Sequence, residues 1–263
     1  MIFKKILLIF IISFCINILI SSSKCIELKF ENKEFYQLRK YQRSNKSIVG
    51  LGYFEHIEDC ANMTRKLRVC YLILPVMDQP EEFFNCISLK CPEFSNFSTM
   101  VNDSRFDYYS LYANPAPPSN ATCIPGIGMF HFYTIPSNYG TAFEICRTQS
   151  RGTLAHVASE ARTSAISRYL ETFQSQRGRF KLGYVGLNFS LGVGGGNVLT
   201  PEGESLDCFP YRAWAPGYPR GNRNSSCVAI TTEASWLDVD CRQKRPFICE
   251  IYMSGPSRQN RNY

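Results

Sequence analysis

Three cysteines near the C-terminus, Cys227, Cys241 and Cys249, constrain the fold of this chain more than any other feature. Cys227 and Cys241 bracket an apolar run (Val228, Ala229, Ile230), a polar turn and Trp236. That is the pattern of two short antiparallel strands tied by a short-loop disulfide. Cys249 follows Phe247 and Ile248 at the end of the last strand-like run and therefore needs a partner far upstream. Cys146 is the natural candidate, because it sits on a segment (Ala142, Phe143, Ile145) whose apolar residues have helical spacing. In the entropic account of crosslinks, a bridge closing so long a loop restricts the unfolded chain by roughly 4 to 5 kcal/mol. The C-terminal part reads as one domain pinned at both ends.

Twelve cysteines in 263 residues belong to an oxidising compartment, and the N-terminus agrees. Lys4 and Lys5 precede an apolar run from Ile6 to Ile20, then Ser21, Ser22 and Ser23, so residues 1–23 read as a secretory signal peptide. The run is shorter than the ~20 residues of a membrane span, and Asn17 interrupts it. An uncleaved signal anchor is the other reading, and the only one that ties the chain to a membrane. Cys15 falls in the signal and leaves eleven cysteines; cleavage after Cys25 leaves ten. Seven N-x-S/T sequons, at Asn45, Asn62, Asn96, Asn102, Asn120, Asn188 and Asn224, fit a secreted, extracellular glycoprotein.

The formal charge of +7 becomes +5 once Lys4 and Lys5 leave with the signal. The positive residues form only small clusters, at Arg39, Lys40, Arg43 and Lys46 and at Arg242, Lys244 and Arg245. A nucleic-acid binder calls for a dense basic stripe, so no nucleic-acid partner is expected. Residues 24–112 carry Cys60, Cys70, Cys86 and Cys91 and the strand-like run Val69–Val76. The Cys86 to Cys91 spacing suits a small disulfide-bound module better than a zinc site, which uses tighter C-x-x-C pairs and histidines, and only His56 is near. No metal or other cofactor is expected. Residues 113–120, with NPAPPSN, read as a Pro-rich linker, 121–252 as a second domain and 253–263 as a basic tail.

Within 121–252 the motifs run in a fixed order. A strand, Met129–Ile135, leads to the helix bearing Cys146, then RGTLAHVAS and a second helix capped by Ser159 with an apolar stripe of Ala161, Ala165, Ile166, Tyr169, Leu170 and Phe173. YVGLN, WAPGYP, CVAI, WLDVDC and PFICE follow. The glycine run Leu191–Asn197 lacks the G-K-[S/T] that grips phosphate and reads as a hairpin or surface loop. This order, with the spacings among Tyr218, Cys227, Trp236 and Cys241, resembles the C-type lectin-like domain. The resemblance covers about half the chain and implies an α+β fold of two helices packed on antiparallel sheets, stapled by Cys146–Cys249 and Cys227–Cys241. Cys123 lies where longer members carry an extra bridge, but Tyr133 and Thr134 stand where its partner is usually found. Cys208 or a cysteine of the N-terminal module is left to pair with it.

Sugar binding in that family commonly runs through calcium, which needs six to eight oxygens. The resemblance maps the ligand positions to Tyr218 and Arg220 around Pro219, to Ser225, and to Leu237 and Asp238. Four of the five are not ligands, and Asp238 reads as a charge partner for Arg220 or Arg223. What remains is a metal-free recognition surface of Tyr211, Tyr218, Arg220, Arg223, Trp236 and Asp238, suited to a glycan or an extracellular protein; a buried Trp236 and solvated arginines are the structural alternative. An enzyme is not expected. Of the three histidines, His56, His131 and His156, the last two occupy structural contexts, no G-x-S-x-G elbow is present, and no carboxylate pair stands out. A structural or adhesive component of matrix or cuticle is the alternative function.

Overall fold

The structure is a computed structural model that describes residues 35–66, 71–75, 85–113, 115–177, 181–189, 197–221 and 226–253. The signal segment, Cys15, Cys25, Cys70, the glycine run 191–196, Arg223, Asn224, Ser225 and residues 254–263 lie outside the described residues.

The first half of the chain builds a sheet from β1 (Tyr36–Arg39), β3 (Ile48–Gly52), β4 (Tyr71–Pro75), β5 (Cys86–Leu89) and β7 (Phe106–Ser110), in the order β1-β7-β4-β5-β3. All four pairings are antiparallel. Helix α1 (Ile57–Lys66) is tied to β5 by Cys60–Cys86, and a separate ribbon pairs β2 (Gln42–Ser44) with β6 (Met100–Asn102). A buried carboxylate holds the ribbon down: Glu93 accepts hydrogen bonds from Ser44 and Thr99, while the Tyr108 hydroxyl accepts from its N–H at 2.9 Å. Burying the anion is tolerable because these donors replace its water.

The second half forms a sheet in the order β14-β13-β11-β15-β9-β8. Its strands are β8 (Thr122–Ile124), β9 (Gly128–Ser137), β11 (Leu182–Phe189), β13 (Cys227–Thr231), β14 (Trp236–Val239) and β15 (Arg245–Ile251). Two short strands extend it, β10 (Gly152–Leu154) on β15 and β12 (Val198–Leu199) on β11. Helix α2 (Tyr139–Thr148) begins at Asn138, whose side chain accepts the Thr141 N–H at 2.8 Å, and buries Ala142 and Cys146. Cys146 bonds Cys249 of β15, and Cys227 bonds Cys241 across the β13–β14 hairpin.

Helix α3 (Glu160–Arg177) starts after Ser159, whose hydroxyl accepts the Arg162 N–H at 3.3 Å. Its buried face differs in phase from the stripe read in the sequence. Ile166, Tyr169 and Leu170 enter the main core with Phe173 against them, but Ala161 is exposed and Thr163 and Ser167 take the inward positions. Both are satisfied there: Thr163 Oγ1 donates to Val157 O at 2.8 Å and accepts from Trp236 Nε1 at 3.2 Å, and Ser167 donates to Thr231 O at 2.8 Å.

The two halves share one apolar layer. Ile87, Leu89, Phe106 and Tyr108 of the first sheet pack with Met129 and Ile251 of the second, and Leu111, Tyr112 and Ala121, from the segment between the sheets, join them. The Pro-rich segment is docked in this seam: Pro117 is buried and its carbonyl accepts the Ser95 N–H at 2.8 Å. Cys91–Cys123 closes the seam covalently. Cys86 and Cys91 therefore do not staple one small module between them. Cys86 serves α1, Cys91 crosses to the second sheet, and Cys208 is disulfide-bonded but not to Cys123.

One close approach gives a direct test of this packing. A Cβ placed on Gly152 would lie 1.7 Å from the carbonyl oxygen of Glu250 on the paired strand, where only backbone can give way. Gly126 also resists a side chain, through its φ of +74°, but has open space around it. Gly152→Ala is expected to lose about 3 kcal/mol in urea unfolding, or to fail to fold, whereas Gly126→Ala loses about 1 kcal/mol.

Candidate functional site

Of the residues singled out by the sequence, Tyr218, Arg220, Trp236 and Asp238 converge at one edge of the second sheet. Strand β14 is that edge, and the incoming chain is stitched along it: Ala213 O accepts the Trp236 N–H at 2.7 Å and Ala215 N–H donates to Trp236 O at 3.0 Å. Covering the edge in this way removes its free ladder. The chain then turns sharply, with Tyr218 N–H donating to Ala215 O at 2.9 Å and Gly217 at φ +77°, a conformation glycine adopts without strain. Tyr218–Pro219 is cis, and Gly221, at φ +64°, completes the loop.

Asp238 is the centre of this loop. It is 4 % exposed, and its two oxygens accept separate backbone N–H groups, Oδ1 from Arg220 at 2.8 Å and Oδ2 from Gly221 at 3.0 Å. The sequence suggested a partner in the Arg220 or Arg223 guanidinium. The partnership with Arg220 exists, but through the main chain, because the inward carboxylate meets the turn's own donors first; Arg223 lies outside the described residues. The Arg220 guanidinium goes the other way and lies over the Tyr218 ring, Cζ 4.4 Å from its centroid. Arg220 is exposed, Tyr218 half-buried, and no described carboxylate pairs with that guanidinium. Stacking occupies the face of the guanidinium and leaves its edge N–H groups directed outward.

Trp236 does not share this surface. It is fully buried, its indole N–H donates to Thr163 and its ring meets Tyr211 and Trp214 edge-on with centroids 5.6 Å apart. It supports the loop from beneath, which corrects its inclusion among ligand contacts: a side chain with no exposed area offers nothing to a ligand. Tyr211, which the sequence places with the surface residues in motif order, packs instead against Trp236, and Trp214, whose role the sequence does not reveal, does the same.

Other charged side chains in this half pair within the chain. Arg242 pairs with Asp240 at 2.8 Å, and that hydrogen-bonded guanidinium holds the Asp240 carboxyl at about 2. Arg162 reaches Glu250 and donates to the carbonyls of Ile127 and His156 at 3.1 and 2.7 Å, locking the β8–β9 turn onto β15. His156 meets Phe209 edge-on, and burial lowers the pKa of His131, which lies beside Tyr133. Among the described residues no three His, Cys, Asp or Glu side chains converge in a way that could hold a metal ion. No described helix is long and apolar enough to cross a membrane. Asn45, Asn62, Asn96, Asn102 and Asn120 are exposed and Asn188 is half-buried; Asn224 lies outside the described residues.

Residues 135–251 match the family model described as the lectin C-type domain. Collectin-43 of Bos taurus is 31% identical over 118 residues, covering 43% of this chain and 33% of that protein. Pulmonary surfactant-associated protein D of Sus scrofa is 32% identical over 132 residues, covering 48% of this chain and 32% of its own length. The chain thus spans about a third of the length of these relatives. Among solved structures, human lithostathine shares 20% identity, with a TM-score of 0.43 over 51% of this chain and 98% of its own.

Removing the Asp238 carboxylate leaves two loop N–H groups with no acceptor and little water. Asp238→Ala is expected to cost about 2–3 kcal/mol in urea unfolding. Asp238→Asn, which keeps one acceptor oxygen, should cost roughly half as much.

Proposed function

We propose that this chain, whose residues 135–251 are a C-type lectin domain, is a secreted glycoprotein that recognises an extracellular ligand without calcium and without catalysis. The ligand class is an anionic glycan or an acidic surface of an extracellular protein. The recognising pair is Arg220 and Tyr218.

The observation that carries this reading is the engagement of Asp238. Calcium requires six to eight oxygens, mostly from carboxylates and carbonyls. At the mapped positions stand Tyr218, Arg220 and Leu237, and the one carboxylate already accepts two backbone N–H groups. These residues do not fit the ion. The same hydrogen bonds that remove Asp238 as a ligand hold the loop in shape, and the guanidinium stacked on Tyr218 offers hydrogen-bond donors to a sulfate or carboxylate. Position alone links the pair to recognition: both residues lie on an exposed loop carried by a rigid sheet. Fold alone does not set the ligand.

Secretion and glycosylation rest on the N-terminal signal pattern, the disulfides and five exposed sequon asparagines. The absence of catalysis rests on the lack of a nucleophile–base pair in the sequence and on the structural positions of His131 and His156.

The test is a glycan and protein ligand array run with and without a chelator. Binding to sulfated or carboxylated ligands should survive the chelator and weaken about ten-fold or more in Arg220→Ala, with a smaller loss in Tyr218→Ala. Binding abolished by the chelator, or unchanged in the Tyr218→Ala, Arg220→Ala double variant, would overturn the proposal.

A further inference from the structure

Asn120 differs from the exposed sequon residues Asn45, Asn96 and Asn102 in the atom it turns toward its neighbours. Those three side chains accept through Oδ1, from Arg43 at 3.2 Å, from the Ser98 N–H at 3.4 Å and from Gln42 at 3.2 Å. Asn120 instead directs Nδ2, the atom to which a glycan attaches, at His131 Nε2 across 3.2 Å. Burial lowers the pKa of His131, so its imidazole is uncharged at neutral pH and Nε2 accepts. The approach is set by the fold. Thr122 of β8 stands opposite Phe130 of β9, which brings the residues just ahead of β8 alongside His131, and the Ala121 N–H closes the turn on Pro118 O at 3.0 Å. His131 and Tyr133 alternate along β9 with the buried Phe130 and Phe132 and form a half-buried ring pair with centroids 4.3 Å apart.

Given the secreted glycoprotein proposed above, on which this rests, we infer that Asn120 carries an N-linked glycan whose first N-acetylglucosamine packs on His131 and becomes a structural part of the seam between the two sheets. Attachment joins Asn120 Nδ2 to C1 of that sugar and breaks the bond from C1 to a phosphate oxygen of a lipid-pyrophosphate donor. The pyrophosphate leaves with the electron pair, and Nδ2 gives up one of its two protons. The N–H that remains still donates to His131 Nε2, so the contact and the modification are compatible. A sugar on Nδ2 begins one bond from an atom already touching the ring, and the apolar body of the imidazole is there for its C–H face. The site adjoins other ties across the seam, since Pro117 O holds the Ser95 N–H and Cys123 is bonded to Cys91. Strands β8 and β14 stand at opposite ends of the sheet order, so a glycan here leaves the Tyr218–Arg220 loop uncovered.

Glycopeptide mass spectrometry on the full secreted chain should find Asn120 occupied. Labelling with diethyl pyrocarbonate then reads the contact, at about pH 8 so that every imidazole is neutral whether or not a carboxylate stands beside it. His131 should react slowly in the intact glycoprotein, and equally slowly after an endoglycosidase trims each glycan to its first sugar. Peptide N-glycosidase, which removes that sugar as well and leaves a carboxylate at position 120, should raise the His131 rate several-fold. Thr122→Val, which deletes the sequon but keeps the Asn120 amide, should raise it likewise while exposed His56 reacts as before. A His131 rate unchanged by removal of the first sugar overturns the proposal, and so does an unoccupied Asn120 in a chain whose other sequons are occupied; either result leaves the glycoprotein itself standing. A chain with no occupied sequon overturns both.

Discussion

Strand β15 and its bond to helix α2 are the constraint on which the second half of the molecule depends. β15 meets β9, β10 and β11, so the central strand of the sheet is laid down last in sequence. Every contact it makes closes a long loop. Cys146–Cys249, with a sequence separation of 103, removes much of that entropy from the unfolded chain, roughly 4.7 kcal/mol in the loop-closure account. Packing completes the attachment: Phe247 stacks on Tyr133 with rings 6° from parallel, and Gly152 lets β10 approach Glu250 closely. Once β15 is in place, β11 and then β13 and β14 have an edge to build on, and the Tyr218–Gly221 loop hangs from the last of these.

The parts of this arrangement that the sequence reveals are those in which a local pattern carries the geometry. The Cys227–Cys241 hairpin announces itself because the apolar run and Trp236 lie between its cysteines, and the observed register, Cys227 with Val239 and Ile230 with Trp236, follows from a short turn. The N-terminal cysteines have no such pattern. Cys91 and Cys123 are joined because two sheets share the layer formed by Leu89, Tyr108, Met129 and Ile251, and nothing near either cysteine records that layer. A Pro-rich stretch reads as a spacer by composition, yet Pro117 is buried and its carbonyl is used, since proline keeps its acceptor even though it has no N–H to give. Helix α3 shows the same limit in miniature. Ala161 and Ala165 extend an apolar stripe on paper, but small side chains gain little by burial. Thr163 and Ser167 take the inward face because their hydroxyls reach Val157, Trp236 and Thr231.

At the Tyr218–Gly221 loop the residues are legible and their roles only partly so. Charge suggests that Asp238 seeks a guanidinium. The loop instead turns two main-chain N–H groups toward it, and main-chain donors carry no residue label. Trp236 likewise combines a stacking ring with a structural one, and the choice rests on Tyr211, Trp214 and Thr163 closing over it, which is a tertiary fact. Of the described residues in the set, Tyr218 and Arg220 remain at the surface.

A metal-built site is shaped by its ion and loses its geometry when the ion leaves. Here the acceptor that holds the loop is part of strand β14, the turn is closed by Tyr218 N–H on Ala215 O, and Trp236 beneath it is buried from solvent. The ordering of Tyr218 and Arg220 is therefore supplied by folding, so little of it remains to be lost when a ligand arrives. An exposed guanidinium held flat against an aromatic ring has fewer rotamers to surrender than one swinging free, and under the proposed function that pre-arrangement would let Arg220 contribute to selectivity as well as to attraction.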